Sequence, residues 1–165
     1  MQLTFTKGNG KYDRLDIVTD AGPQPPIDCP KQGIIPHDMV HFAVESEVTT
    51  LGFLGGIAAG GGTGFTAGVD NPHHRAVERL VETVQAEAWS GGPVADAEFI
   101  ALYRVTCAAR DDAPLALDGR TIAAIRGRIA ALTAHWAAVP VGGTLVLTLA
   151  ATPEQAASVV AQPRL

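Results

Sequence analysis

Apolar and polar residues alternate on either side of Gly8-Asn9-Gly10, with Leu3 and Phe5 before the glycines and Leu15 and Ile17 after them. A period of two places successive side chains on opposite faces of a strand, and glycines between two such runs favour a tight turn. Residues 3–19 are therefore expected to form a β-hairpin. The following stretch, AGPQPPIDCPKQG, reads as an extended connection across the surface because of its prolines. From Pro36 the spacing becomes helical, and a first helix is expected over residues 36–48. A short helix of small residues follows at 51–59, ended by the glycines of residues 60–64. Asn71-Pro72 opens another helix, with Val77, Leu80, Val81, Val84 and Trp89 at core spacing, and Gly91-Gly92-Pro93 stops it. Two more helices are expected at 94–109, carrying Phe99, Leu102, Tyr103 and Val105, and at 119–138. VGGTLVLTLA, residues 141–150, is the last strand, and Thr152-Pro153-Glu154 resembles a cap opening a short C-terminal helix.

Strands at both ends with helices between them predict an α+β fold: a small antiparallel sheet, made of the N-terminal hairpin plus the C-terminal strand at 143–149, packed against several helices on one face. No repeat or long linker divides the chain, so residues 1–165 are read as a single domain. That length suffices to bury roughly two thirds of the surface exposed by the unfolded chain.

Composition narrows the function. Hydrophobic residues make up 47% and charged residues 18%, which predicts a packed core without a disulfide or metal staple. The net charge of −5 and the scattered basic residues argue against a nucleic-acid partner, whose phosphates need clustered cations. The sequence identifies no small-molecule or protein partner, and a homo-oligomer is compatible with it. MQLTFTKGNGKY lacks the pattern of a secretory signal, and Cys29 and Cys107 form no CxxC pair, so a cytoplasmic location with reduced thiols is expected. Residues 48–69 carry no charge and match a membrane span in length, but their many glycines oppose a stable helix at about 1 kcal/mol each. No membrane insertion is expected.

The clearest chemistry lies in IIPHDMVHFAVESEV. With His37 set at zero and about 100° of turn per residue, His41 falls near ~40°, Glu45 near ~80° and Asp38 near ~100° on the helix. Four ionisable groups thus share one arc. Histidines at i and i+4 project from one face and can bind the same metal ion, zinc or another divalent metal. Glu45 lies about 12 Å along the axis from His37 at ~1.5 Å per residue, too far to share an ion easily with it. It is better placed to hydrogen-bond His41 and fix its tautomer. A third ligand has to come from elsewhere: Cys29, His73, His74, Glu78 and Glu82 are the candidates, and spacing does not choose among them. The competing reading is a solvated His/Asp/Glu helix face on a non-enzymatic interaction or regulatory protein, because Asp38 suits a first helical turn and His41–Glu45 is an ordinary i,i+4 pair.

HDMVH resembles the HExxH helix of zincin-type metallopeptidases. The resemblance covers five residues. It implies His37 and His41 as metal ligands, a hydrolase activity, and Asp38 in the place of that family's general-base glutamate, one methylene shorter. Asp38 from this resemblance, and Glu45 from its place one turn beyond His41, are the candidate catalytic carboxylates. The longer block PKQGIIPHDMVHFAVE is similar to a group of small uncharacterised bacterial proteins, a resemblance that implies no activity.

Other motifs are weaker. AAGGGTGFTAG contains neither GxGxxG nor a Walker lysine and reads as a connection. His73-His74 beside Arg75 could meet an anion or a metal. His135, Trp136 and Cys107 are assigned to structure, and no GxSxG elbow is present.

Overall fold

A computed structural model describes residues 1–63 and 71–150. Its elements run β1 (Gln2–Thr6), β2 (Tyr12–Thr19), β3 (Gly22–Pro23), β4 (Ile27–Pro30), α1 (His37–Glu45), α2 (Phe53–Ala58), α3 (Pro72–Trp89), α4 (Asp96–Ala108), α5 (Gly119–Ala138) and β5 (Thr144–Thr148). The fold is α+β, with one small antiparallel sheet and helices packed against it.

β1 is central in that sheet. It pairs antiparallel with β2 from Gln2↔Val18 to Thr6↔Arg14, and with β5 from Gln2↔Thr148 to Thr6↔Thr144. The first and last described strands therefore meet in the expected sheet. The hairpin between β1 and β2 closes less tightly than its glycines predict, because neighbouring groups engage the loop of residues 7–11. Gly8 N–H donates to Asp13 Oδ1 at 2.9 Å, Lys7 N–H donates to the Gly143 carbonyl at 2.9 Å, and Gly142 N–H donates to the Lys7 carbonyl at 2.7 Å. A side chain at Gly8 has no room: a Cβ there would stand 2.0 Å from the Tyr12 carbonyl oxygen.

The proline-rich stretch is more than the expected extended connection. β3 pairs with β2 at Val18↔Pro23 and Thr19↔Gly22, and β4 pairs with it from Tyr12↔Pro30 to Leu15↔Ile27. Proline lacks an N–H donor, and a sheet edge tolerates that loss. The prolines thus conceal two short edge strands.

Leu3, Phe5, Leu15, Ile17 and Cys29 project from the sheet into the core, where Met39, Val40 and Ala43 of α1 meet them. Phe5 and Trp136 of α5 make an edge-on ring contact with centroids 6.5 Å apart. α1 is packed by α2, α3, α5 and β4, so residues 38–45 of this nine-residue helix are all buried. α3 begins where Asn71 accepts a hydrogen bond from His73 N–H and Pro72 occupies the first turn; α5 begins where Asp118 accepts one from Thr121 N–H. Tyr103 OH donates to the Ala76 carbonyl at 3.0 Å, tying α4 to α3.

Three of the apolar residues singled out on the expected helices lie outside the core. Trp89 is 51% exposed at the last residue of α3, and Leu102 and Val105 lie on the outer face of α4, since Phe99, Tyr103 and Cys107 alone already fill its inner stripe. No described helix is long and apolar enough to cross a membrane. Within residues 48–69 the described part contains only the six-residue α2. The expected C-terminal helix after Thr152 falls outside the described residues.

Candidate metal centre

Pro36 precedes α1, and the i,i+4 spacing then stacks His37, His41 and Glu45. The two imidazole centroids lie 4.8 Å apart, with ring planes at 85°. The stripe does not face water. His41 is 3% exposed, Glu45 1% and Asp38 8%, which corrects the solvated-face reading at three of its four positions. Residue spacing defines which groups share an arc of a helix, but the elements packed on α1 decide what that arc faces.

It faces α3, which contributes Glu78. His41 Nε2 lies 3.1 Å from Glu78 Oε2, and His37 Nε2 lies 3.7 Å from Glu78 Oε1. One donor atom from each of His37, His41 and Glu78 lies within 4.8 Å of the other two, a set that could hold a metal ion. Among the third-ligand candidates, the fold brings Glu78 to the histidines. Glu82, one turn on, is held by Arg79 Nη2 and Arg110 Nη1, each at 3.3 Å.

The outer nitrogen of each imidazole is occupied. His41 Nδ1 meets Glu45 Oε1 at 3.1 Å, and His37 Nδ1 meets Gln85 Oε1 at 3.3 Å. Gln85 Nε2 in turn donates to Gln32 Oε1. Facing an acceptor oxygen, each Nδ1 is placed to donate a hydrogen bond, and each Nε2 points at Glu78. The Glu45–His41 contact is the one that spacing predicts. Gln85 and Gln32 had no sequence signal, since carboxamides occur on any helix face or loop.

Electrostatics follow from this arrangement. Burial works against a charged His41, but hydrogen bonds to the carboxylates of Glu45 and Glu78 outweigh it and push the imidazole up to about 10. Burial likewise opposes ionisation of Glu78, yet its contacts with His37 and His41 hold it well below the usual carboxylate range. Without metal, His41 is therefore a cation between two carboxylates.

Glu45 is seated by α2. Its carboxylate accepts hydrogen bonds from the backbone N–H groups of Gly52 at 3.2 Å, Leu54 at 3.0 Å and Gly55 at 2.8 Å. This approach requires glycine, because a Cβ at Gly52 would stand 2.5 Å from Val77 Cγ1 and 2.6 Å from the Glu45 carboxyl carbon. Gly52→Ala is expected to destabilise the fold by about 1–3 kcal/mol through overpacking. Chemical denaturation of the metal-free variant measures the loss, and unchanged stability would contradict this seating.

Asp38 points elsewhere. Cys29 of β4 donates its thiol proton to Asp38 Oδ2 at 3.1 Å. Neither side chain belongs to the His37/His41/Glu78 set. Burial, reinforced by the Asp38 carboxylate, pushes the Cys29 thiol far up. Buried in this form, Cys29 should resist thiol alkylation in the native protein and react only on unfolding, as mass spectrometry of labelled peptides would report. Rapid native labelling would mean that the Cys29–Asp38 contact opens readily. Cys107 is also buried, and burial raises its thiol.

His73 lies exposed in the first turn of α3, while the ring of His74 packs against Gly56 of α2. Comparison with protein-family models, curated proteins and solved structures finds no match to this chain. The donor set and its surroundings therefore carry the functional argument.

Proposed function

We propose that this protein binds one divalent transition-metal ion, zinc or a close analogue, between α1 and α3, with His37 Nε2, His41 Nε2 and a Glu78 carboxylate oxygen as ligands. The observation that carries this reading is the convergence of both Nε2 atoms on one carboxylate while both Nδ1 atoms are held by Glu45 and Gln85. Metal-binding histidines almost always have the second ring nitrogen held by a carboxylate, carbonyl or water, which fixes the tautomer. Two imidazoles and a carboxylate suit zinc and also iron or manganese.

A hydrolase working in the manner of HExxH peptidases is the second reading, supported by the HDMVH resemblance. The placement of Asp38 weighs against it, because the carboxylate in the general-base position accepts the Cys29 thiol proton instead of joining the histidine cluster. Metal binding without that base is the reading the geometry favours.

Calorimetric titration of chelator-treated, tag-free protein with zinc tests the proposal. One zinc per chain is expected, with binding abolished in a His37→Ala/His41→Ala double variant. Equal affinity in both proteins would overturn it.

A further inference from the structure

His74 is an unexplained group close to this centre. Its Nδ1 is buried and has no hydrogen-bond partner among the described residues. A buried polar atom left unsatisfied costs about 1–3 kcal/mol, so an orphan of this kind calls for a partner. Its ring fills the hollow over Gly56, where a Cβ would stand 2.8 Å from His74 Cε1. Burial also holds the imidazole below its ordinary range, which favours the neutral ring that a metal ligand must be.

The register between α1 and α3 gives that imidazole a role. His37 meets Gln85 and Glu78, His41 meets Glu78, and Glu45 lies within electrostatic range of His74. Contacts advancing along α1 thus recede along α3, and the two helices run antiparallel. His74 and Glu78 are an i,i+4 pair on α3, just as His37 and His41 are on α1. Glu78 lies opposite the two histidines, and His74 lies one turn from it toward the Glu45 end. Two such pairs on facing helices supply the four ligands of a tetrahedral site.

We propose that His74 is the fourth protein ligand of the ion, closing the centre as three imidazoles and one carboxylate. The inference rests on the metal-binding reading above. In the metal-free protein His74 packs on Gly56 and lies outside the converging triad, so ligation requires its ring to leave that hollow and turn toward Glu78, one helical turn along α3. A closed centre leaves no position for an exogenous ligand.

Cobalt(II) and azide test this in the full-length chain. Wild-type protein loaded with cobalt should show the intense visible absorption of a four-coordinate ion, and that spectrum should not change on adding azide. His74→Ala should bind cobalt at least about tenfold more weakly, by analogy with the loss of weaker outer-shell partners. Its spectrum should respond to azide at the vacated position, while His73→Ala should behave as wild type. An azide-sensitive wild-type spectrum, or unchanged cobalt affinity and spectrum in His74→Ala, would overturn the fourth-ligand assignment and leave the three-ligand centre standing. Failure of wild-type protein to take up cobalt at all would remove both. The azide titration of wild-type protein requires no variant, so the test survives if His74→Ala does not fold.

Discussion

Glu45→Ala is expected to lower the stability of the metal-free protein by about 3–5 kcal/mol, the scale of losing one partner from a buried ion pair. The truncation strands the Gly52, Leu54 and Gly55 N–H groups and leaves the His41 cation with Glu78 as its one remaining carboxylate in that cluster. Denaturant unfolding curves measure the change, and a loss below about 1 kcal/mol would show that α2 and His41 find other partners. Glu45→Gln separates seating from charge. It retains an acceptor oxygen for α2 but meets His41 with a neutral group, so zinc affinity should fall about 10–100-fold, the effect of removing an outer partner. His37→Ala and His41→Ala should each do more harm, because they remove ligand atoms themselves.

The second large effect is on pH. Metal binding needs the lone pair on His41 Nε2, and in the metal-free protein the two carboxylates keep a proton there up to about pH 10. Protons therefore compete with the ion well above the usual imidazole range. Zinc affinity should rise roughly tenfold per pH unit, or about 100-fold between pH 7 and 9, as one proton is displaced per ion bound. Calorimetry in buffers of different ionisation enthalpy counts that proton directly. Affinity that is flat from pH 7 to 9 would mean His41 is already neutral.

The same shifts set the stability of the metal-free fold. His41 is raised above its unfolded value of 6.5, so its contribution is complete below that pH and is lost as pH rises through about 10. Glu78 is depressed below its unfolded value of 4.5, so its contribution is present above that pH and is lost on acidification. Both shifts describe one interaction and count once. Maximum stability from this cluster is expected between about pH 5 and 6.5, persisting in part toward pH 10, and zinc should extend it to higher pH.

Much of the architecture was readable from local pattern. The alternation of Leu3, Phe5, Leu15 and Ile17 marked the hairpin, Asn71-Pro72 marked the start of α3, and residues 119–138 matched α5. These signals are local because strand and helix periods are properties of a few consecutive residues. The same locality placed His37, His41 and Glu45 on one arc of α1, including the His41–Glu45 contact. It misread the turn after Thr6 and hid β3 and β4, whose pairing depends on the neighbouring strand more than on the prolines themselves.

The content of the site was decided by tertiary packing. Whether the arc is wet or buried depends on α2, α3, α5 and β4 enclosing α1, elements that its nine residues do not encode. Spacing left Glu78 equal to Cys29, His73, His74 and Glu82 as a third ligand, and the register of α3 against α1 brought it to the two Nε2 atoms. Asp38 shares the helix turn of the histidines, yet the approach of β4 draws its carboxylate to Cys29. Sequence by itself determined which groups each helix presents, because that is set by backbone geometry; which of them meet was settled by long-range packing, since groups far apart along the chain converge only when the core assembles.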